Sequence, residues 1–130
     1  MSRQFQLQDQ PIVAFVATTD ADRARKFYRD TLGLPLVSEE LPFALVFDAH
    51  GTMLRVTMVK QVAAAGYTVL GWEVSDIEAA AQAMSIGGVH FERYPGLEQD
   101  ALGIWTAPGG AAKVAWFKDP DGNILSISQH

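Results

Sequence analysis

The amino-acid sequence predicts an α+β domain built twice on one β-α-β-β-β plan, with both helices outside a curved mixed sheet that forms a cup. Three observations carry that prediction. A strand-like segment ending in a polar cluster occurs twice, as IVAFVATTD (Ile12 to Asp20) and TVLGWEVSD (Thr68 to Asp76), its aspartates offset by 56 residues. Each copy is followed by an amphipathic helical pattern that stops at glycine. Each half closes on a hairpin, FDAHGTMLRV (Phe47 to Val56) and FKDPDGNILSI (Phe117 to Ile127), with Gly51 and Gly122 offset by 71.

The first strand is apolar and β-branched. Thr19 with Asp22 three residues on resembles a capping box and starts a helix. Ala24, Phe27, Tyr28 and Leu32 fall at helical spacing, and Gly33 before Leu34-Pro35 ends the run. Strands and the Gly51 hairpin complete module one, about 10–60. In the second half Ser75 and Glu78 form a better capping box, and Ile77, Ala80, Ala81 and Met84 give the apolar stripe. Gly87-Gly88 stop that helix, and a longer connection around YPGLEQDALG precedes the last hairpin. Module two spans about 66–129, and the two make one domain over residues 1–130.

Composition narrows the function classes. With 48 % apolar and 19 % charged residues, the chain is of ordinary globular make-up. A net charge of −5 disfavours nucleic-acid backbones, which need lysine and arginine patches, and tolerates a cationic small molecule. The absence of cysteine excludes disulfides, thiolate catalysis and sulfur-ligated metals. MSRQFQLQDQ has no signal-like apolar stretch, and nothing reaches the length of a membrane span. The expected compartment is the cytoplasm.

Two modules in 130 residues, FYRDTLGLPL closing the first helix and FKDPDGN before the last strand give the chain its family likeness. From roughly Ile12 to Gln129 it resembles the vicinal oxygen chelate superfamily of glyoxalases, dioxygenases and bleomycin-resistance proteins. In that superfamily's metalloenzymes, four side chains on the first and last strands of the modules bind a divalent cation in the cup. Carried over, those positions are Val13, Arg55, Val69 and Ser126. Valine has no lone pair and a neutral serine hydroxyl is a poor sole ligand. Arginine about 4 Å from the ion would be repelled by roughly 8 kcal/mol at an effective dielectric near 20. The resemblance thus implies a metal-free member with no cofactor, and a homodimer whose cups are completed across or beside the interface.

If those four positions face the cup, period-two alternation supplies the rest. Val13, Phe15 and Ala17 would face inward from the first strand, and Leu45, Phe47, Met53, Arg55 and Thr57 from the first hairpin. The second module would add Val69, Gly71 and Glu73, then Ala115, Phe117, Ile124, Ser126 and Ser128. Ile12, Ala14, Val16, Trp72, Val74, Trp116, Leu125 and Ile127 would pack under the helices. Arg55 then becomes the anchor for a carboxylate, enolate or phenolate, and Glu73 a general base. The plainer alternatives are an Arg55–Glu73 ion pair, or a Glu73 that reaches solvent at its strand end.

Other residues are weaker candidates. His90 and Glu92 share a strand face and would need Glu73 to make a relocated metal site. His50 in its turn and His130 at position 130 read as solvated. Tyr94 and Trp105 flank the long connection and either close over a ligand or fill core. Asp22 and Asp30 offset the Arg23, Arg25, Lys26, Arg29 series through i,i+4 pairs with Lys26, giving a solvated helix face. APGG has no phosphate-loop context, and no Gly-x-Ser-x-Gly elbow occurs. The leading expectation is a metal-independent binding protein for a hydrophobic or aromatic small molecule. The alternatives are a metal-free lyase or isomerase using Arg55 and Glu73, and a metalloenzyme using Glu73, His90 and Glu92.

Overall fold

Alternating apolar residues give every strand two faces, and in both modules the helix covers one of them. The structure, a computed structural model, describes residues 4–130. After a 3₁₀ turn at Leu7–Asp9 come β1 (Val13–Thr18), α1 (Ala21–Arg25), a π-helical segment (Lys26–Thr31), β2 (Leu36–Glu40), β3 (Ala44–Ala49) and β4 (Thr52–Met58). The second module repeats the plan with β5 (Thr68–Glu73), α2 (Ile77–Ile86), β6 (Trp105–Thr106), β7 (Lys113–Lys118) and β8 (Ile124–Gln129). Each module is a four-stranded mixed sheet, ordered β1-β4-β3-β2 and β5-β8-β7-β6. First and last strands pair in parallel, and the other pairs are antiparallel. β1 and β5 touch without a hydrogen-bonded ladder, so two sheets stand where one was expected.

Both helices start one residue later than the expected capping boxes. Asp20 and Asp76 are the N-caps, each carboxylate accepting from the backbone N–H three residues on at 3.1 Å. After α1, the Leu32 N–H donates to the Phe27 carbonyl at 2.9 Å, five residues back, which widens the helix. Gly33, at φ +77°, then turns the chain out of it. Asp22 and Asp30 pair with Arg25 and Arg29, in place of the expected Lys26 pairs.

The core lies between helices and sheets and runs through both modules without a break. Tyr28, Phe47, Leu54, Ile77, Phe117 and Leu125 are all fully enclosed in it. Beside this apolar contact, the Asp119-Pro120-Asp121-Gly122-Asn123 turn fastens module two to module one. Asp121 accepts from the Thr18 hydroxyl at 2.5 Å, the Thr19 N–H at 3.0 Å, the Thr19 hydroxyl at 2.9 Å and Arg23 at 3.1 Å. Asn123 donates to the Ala17 carbonyl at 2.9 Å, and the buried Tyr28 hydroxyl donates to Asp119 at 2.6 Å. Burial disfavours the Asp121 anion, but the Thr18 and Thr19 hydrogen bonds, with Arg23 alongside, hold its carboxyl below the usual range. Burial, and then the neighbouring Asp119 carboxylate, push the Tyr28 hydroxyl far above its ordinary value. The turn is a polar clasp between the modules.

Candidate ligand-binding face

Strand pairing decides which side chains share the helix-free face. β4 places Met53, Arg55 and Thr57 beside Val13, Phe15 and Ala17 of β1. Across β3, Arg55 stands opposite Val46, and Leu54 opposite Phe47. Phe47 and Leu45 therefore point at the helices, with no exposed surface, and Val46 and Ala44 take the places expected for them. In module two Trp116 stands opposite Ser126, and Phe117 opposite Leu125. Phe117 and Ala115 are thus core residues, and Trp116 lies on the helix-free face. Turn length explains both corrections. The two-residue His50-Gly51 turn closes on the Ala49–Thr52 pair, and the longer Asp119–Asn123 loop closes on Lys118 and Ile124. Either strand read one residue out of step exchanges its faces.

The remaining expected residues sit where alternation put them. Val69, Gly71 and Glu73 lie on β5, with Ser126 opposite Gly71 and Ser128 opposite Glu73. Arg55 pairs with Glu40 rather than Glu73, at 2.8 Å and 3.3 Å, holding the Glu40 carboxyl below its usual range. This bridge runs from β4 to β2 across β3, where Ala44 and Val46 are buried. Glu73 is exposed and has no ion-pair partner among the described residues.

Ser126 is buried on this face, and its hydroxyl occupies the space beside Gly71 that a side chain there would need. A Cβ added at Gly71 would lie 2.7 Å from the Ser126 Oγ. Gly71→Ala is expected to stay within about 1 kcal/mol of wild type, since strain is relieved by rotating one hydroxyl and strand alanine is favoured over glycine. The Ser126 side chain should swing away, which amide and side-chain NMR shifts at Ser126 would register.

An aromatic wall that sequence reasoning divided between core and loop completes the face. Trp116 meets Tyr94 edge-on at 5.6 Å and Trp105 at 6.0 Å between ring centroids. Trp105 reaches it through β6, opposite Val114, and Gln99 ties the long connection down by accepting from the Tyr94 N–H at 2.8 Å. The Tyr94 hydroxyl is buried without a hydrogen-bond partner among the described residues. Burial raises its ionisation above the ordinary value, with the nearby Glu92 carboxylate acting in the same direction. The usable sequence signal was the spacing of Trp105 and Trp116 around a tight APGG turn, which puts both on one hairpin.

Residues 11–127 match the family model of the Glyoxalase/Bleomycin resistance protein/Dioxygenase superfamily. The chain belongs to this superfamily. A Vibrio parahaemolyticus protein named "Probable lactoylglutathione lyase" is 25% identical over 126 residues, covering 85% of this chain and 83% of its own length. A glyoxalase family protein from Enterococcus faecalis superposes with a TM-score of 0.71 at 19% identity, covering 95% of this chain and 99% of that one. Lactoylglutathione lyase from Agrobacterium tumefaciens gives 0.68 at 18%, covering 93% of each chain. The structural likenesses at these identities establish the fold.

The superfamily's metal positions can be tested on this chain's own donors. Val13, Arg55, Val69 and Ser126 share the helix-free faces but offer one hydroxyl and one cation, so they do not fit a divalent ion. The relocated set fails as well. Glu73 lines a cavity between the modules, whereas His90 and Glu92 line another beside Phe27 and Asp119, and Glu92 lies 3.4 Å from Lys118. Among the described residues no three His, Asp or Glu side chains converge on a common point.

Proposed function

We propose that this superfamily member is a metal-independent binding protein for a hydrophobic or aromatic small molecule. Its ligand lies on the helix-free face, flat against Trp105 and Trp116. One observation carries the reading: the four positions that would hold a metal offer no donor set, while aromatic and apolar side chains crowd the same face. Arg55 anchors an anionic group of the ligand by exchanging its Glu40 partner. The exposed row of Val13, Phe15, Met53 and Val69 supports a homodimer in which two such faces close over one another. Among the described residues no helix is long and apolar enough to cross a membrane, and the reading places the protein in the cytoplasm.

Native mass spectrometry of untagged protein, purified without chelators, tests this. The expected species is a metal-free dimer carrying an organic mass, and Arg55→Met should retain that mass about ten- to a hundredfold less well. A stoichiometric divalent metal would overturn the reading. Metal-free lyase or isomerase chemistry is the second reading, favoured by the unpaired Glu73 carboxylate. It requires the organic mass to be converted on incubation, and Glu73→Gln to stop the conversion.

A further inference from the structure

The polar clasp closes one junction between the modules, and the equivalent junction is open. Helix caps correspond at an offset of 56 and hairpin turns at 71. On that correspondence the clasp residues Thr18, Tyr28 and Asp121 become Val74, Met84 and His50. Two hydroxyls and a carboxylate are thereby replaced by two apolar side chains and an imidazole, and no docking bond forms among the described residues. All three residues instead line one cavity of about 600 Å³.

Most of the cavity lies on the helix side of the second sheet, with Gly71 and Glu73 of β5 at its border with the helix-free face. Leu32 and Leu34 come to it from module one, and Trp72 and Ile127 from the helix side of the second sheet. Its volume lies within the usual range for small-molecule sites, about 300–1,000 Å³. Glu73 is the one acidic or basic side chain in its lining besides His50, which is held at φ +52° in the hairpin turn. Neither side chain makes a hydrogen bond or ion pair among the described residues. The lining therefore offers an apolar body with a carboxylate and an imidazole acceptor at its rim.

We infer that this inter-module cavity is a second ligand site, one that takes a small apolar amine. The hydrocarbon lies against Leu32, Leu34, Trp72 and Met84, and the ammonium donates to Glu73 and to the unprotonated ring nitrogen of His50. A carboxylate of the same length would be repelled by Glu73, and the chain's net charge of −5 acts in the same sense. The inference does not rest on the ligand proposed for the helix-free face.

The methionines separate the two sites. Met84 lines the cavity, whereas Met53 is exposed on the helix-free face. Full-length protein labelled at the methionine methyls is titrated with n-octylamine, n-octanol and n-octanoate and followed by proton–carbon NMR. Octylamine is expected to shift the Met84 methyl saturably and leave Met53 in place, with octanol and octanoate binding more weakly. Glu73 is exposed, so Glu73→Gln should fold normally and bind octylamine about three- to fivefold more weakly. A silent Met84, a response at Met53 instead, octanoate binding as tightly as octylamine, or unchanged affinity in Glu73→Gln would each overturn the inference. None of those results bears on the organic mass held at Arg55.

Discussion

Phe117→Ala is expected to lower unfolding stability by about 3–5 kcal/mol, a large share of the roughly 5–15 kcal/mol that holds a domain of this size. Phe117 has no exposed surface and meets Trp72 at 6.4 Å and Phe91 at 5.8 Å between ring centroids. Truncation leaves a ring-sized hole in a core that cannot collapse around it, because β7 is held on both sides. A urea melt reads the loss directly. Trp116→Ala, one residue earlier, is the matching control. Its ring lies on the helix-free face, so stability should fall far less while the co-purified organic mass is lost. Should Phe117→Ala fold like wild type and lose ligand, the face assignment drawn from the strand register is wrong.

Asp121→Ala is expected to cost about 2–4 kcal/mol, since its nearly buried carboxylate satisfies four donors from Thr18, Thr19 and Arg23 at once. The same residue gives the protein an acid sensitivity of definite sign. Its folded pKa is lowered from the ordinary 3.8, so its stabilisation is fully present above that value. It is lost as the pH falls through the lower folded value. Stability curves collected from neutral to acid pH should therefore steepen below about pH 4 in wild type and flatten in Asp121→Asn. An unchanged slope in the asparagine variant would remove Asp121 as the cause.

The repeat and both helices were legible because glycines, caps and apolar periodicity are local signals. The faces of β1, β4, β5 and β8 were legible too, since one alternation carries along each strand. β3 and β7 were not, because their faces depend on how many residues each hairpin turn absorbs. Of the two plainer alternatives for this pair, Glu73 reaches solvent at its strand end, and Arg55 pairs with Glu40 in place of Glu73. The nearest carboxylate in space belongs to the other edge of its own sheet, and sheet order is not written in residue spacing. His50 was read only as a turn residue; the offset of 71 that aligns Gly51 with Gly122 also aligns it with Asp121, but the clasp that gives this position meaning is made in three dimensions.

The clasp also sets an order of events. Thr18 and Asp121 are 103 residues apart in sequence, and among the described residues β5 finds its ladder partner in β8. A chain still on the ribosome can assemble the first sheet as soon as β4 has emerged. Its first-strand end nevertheless stays unfastened until the Asp119–Asn123 turn has been made, and β5 waits on the strand after it. Contacts of such long span slow folding, because the intervening loop must be ordered before they repay it. Refolding should accordingly be rate-limited by docking of the second module, with the Gly122 hairpin as the last piece to seat.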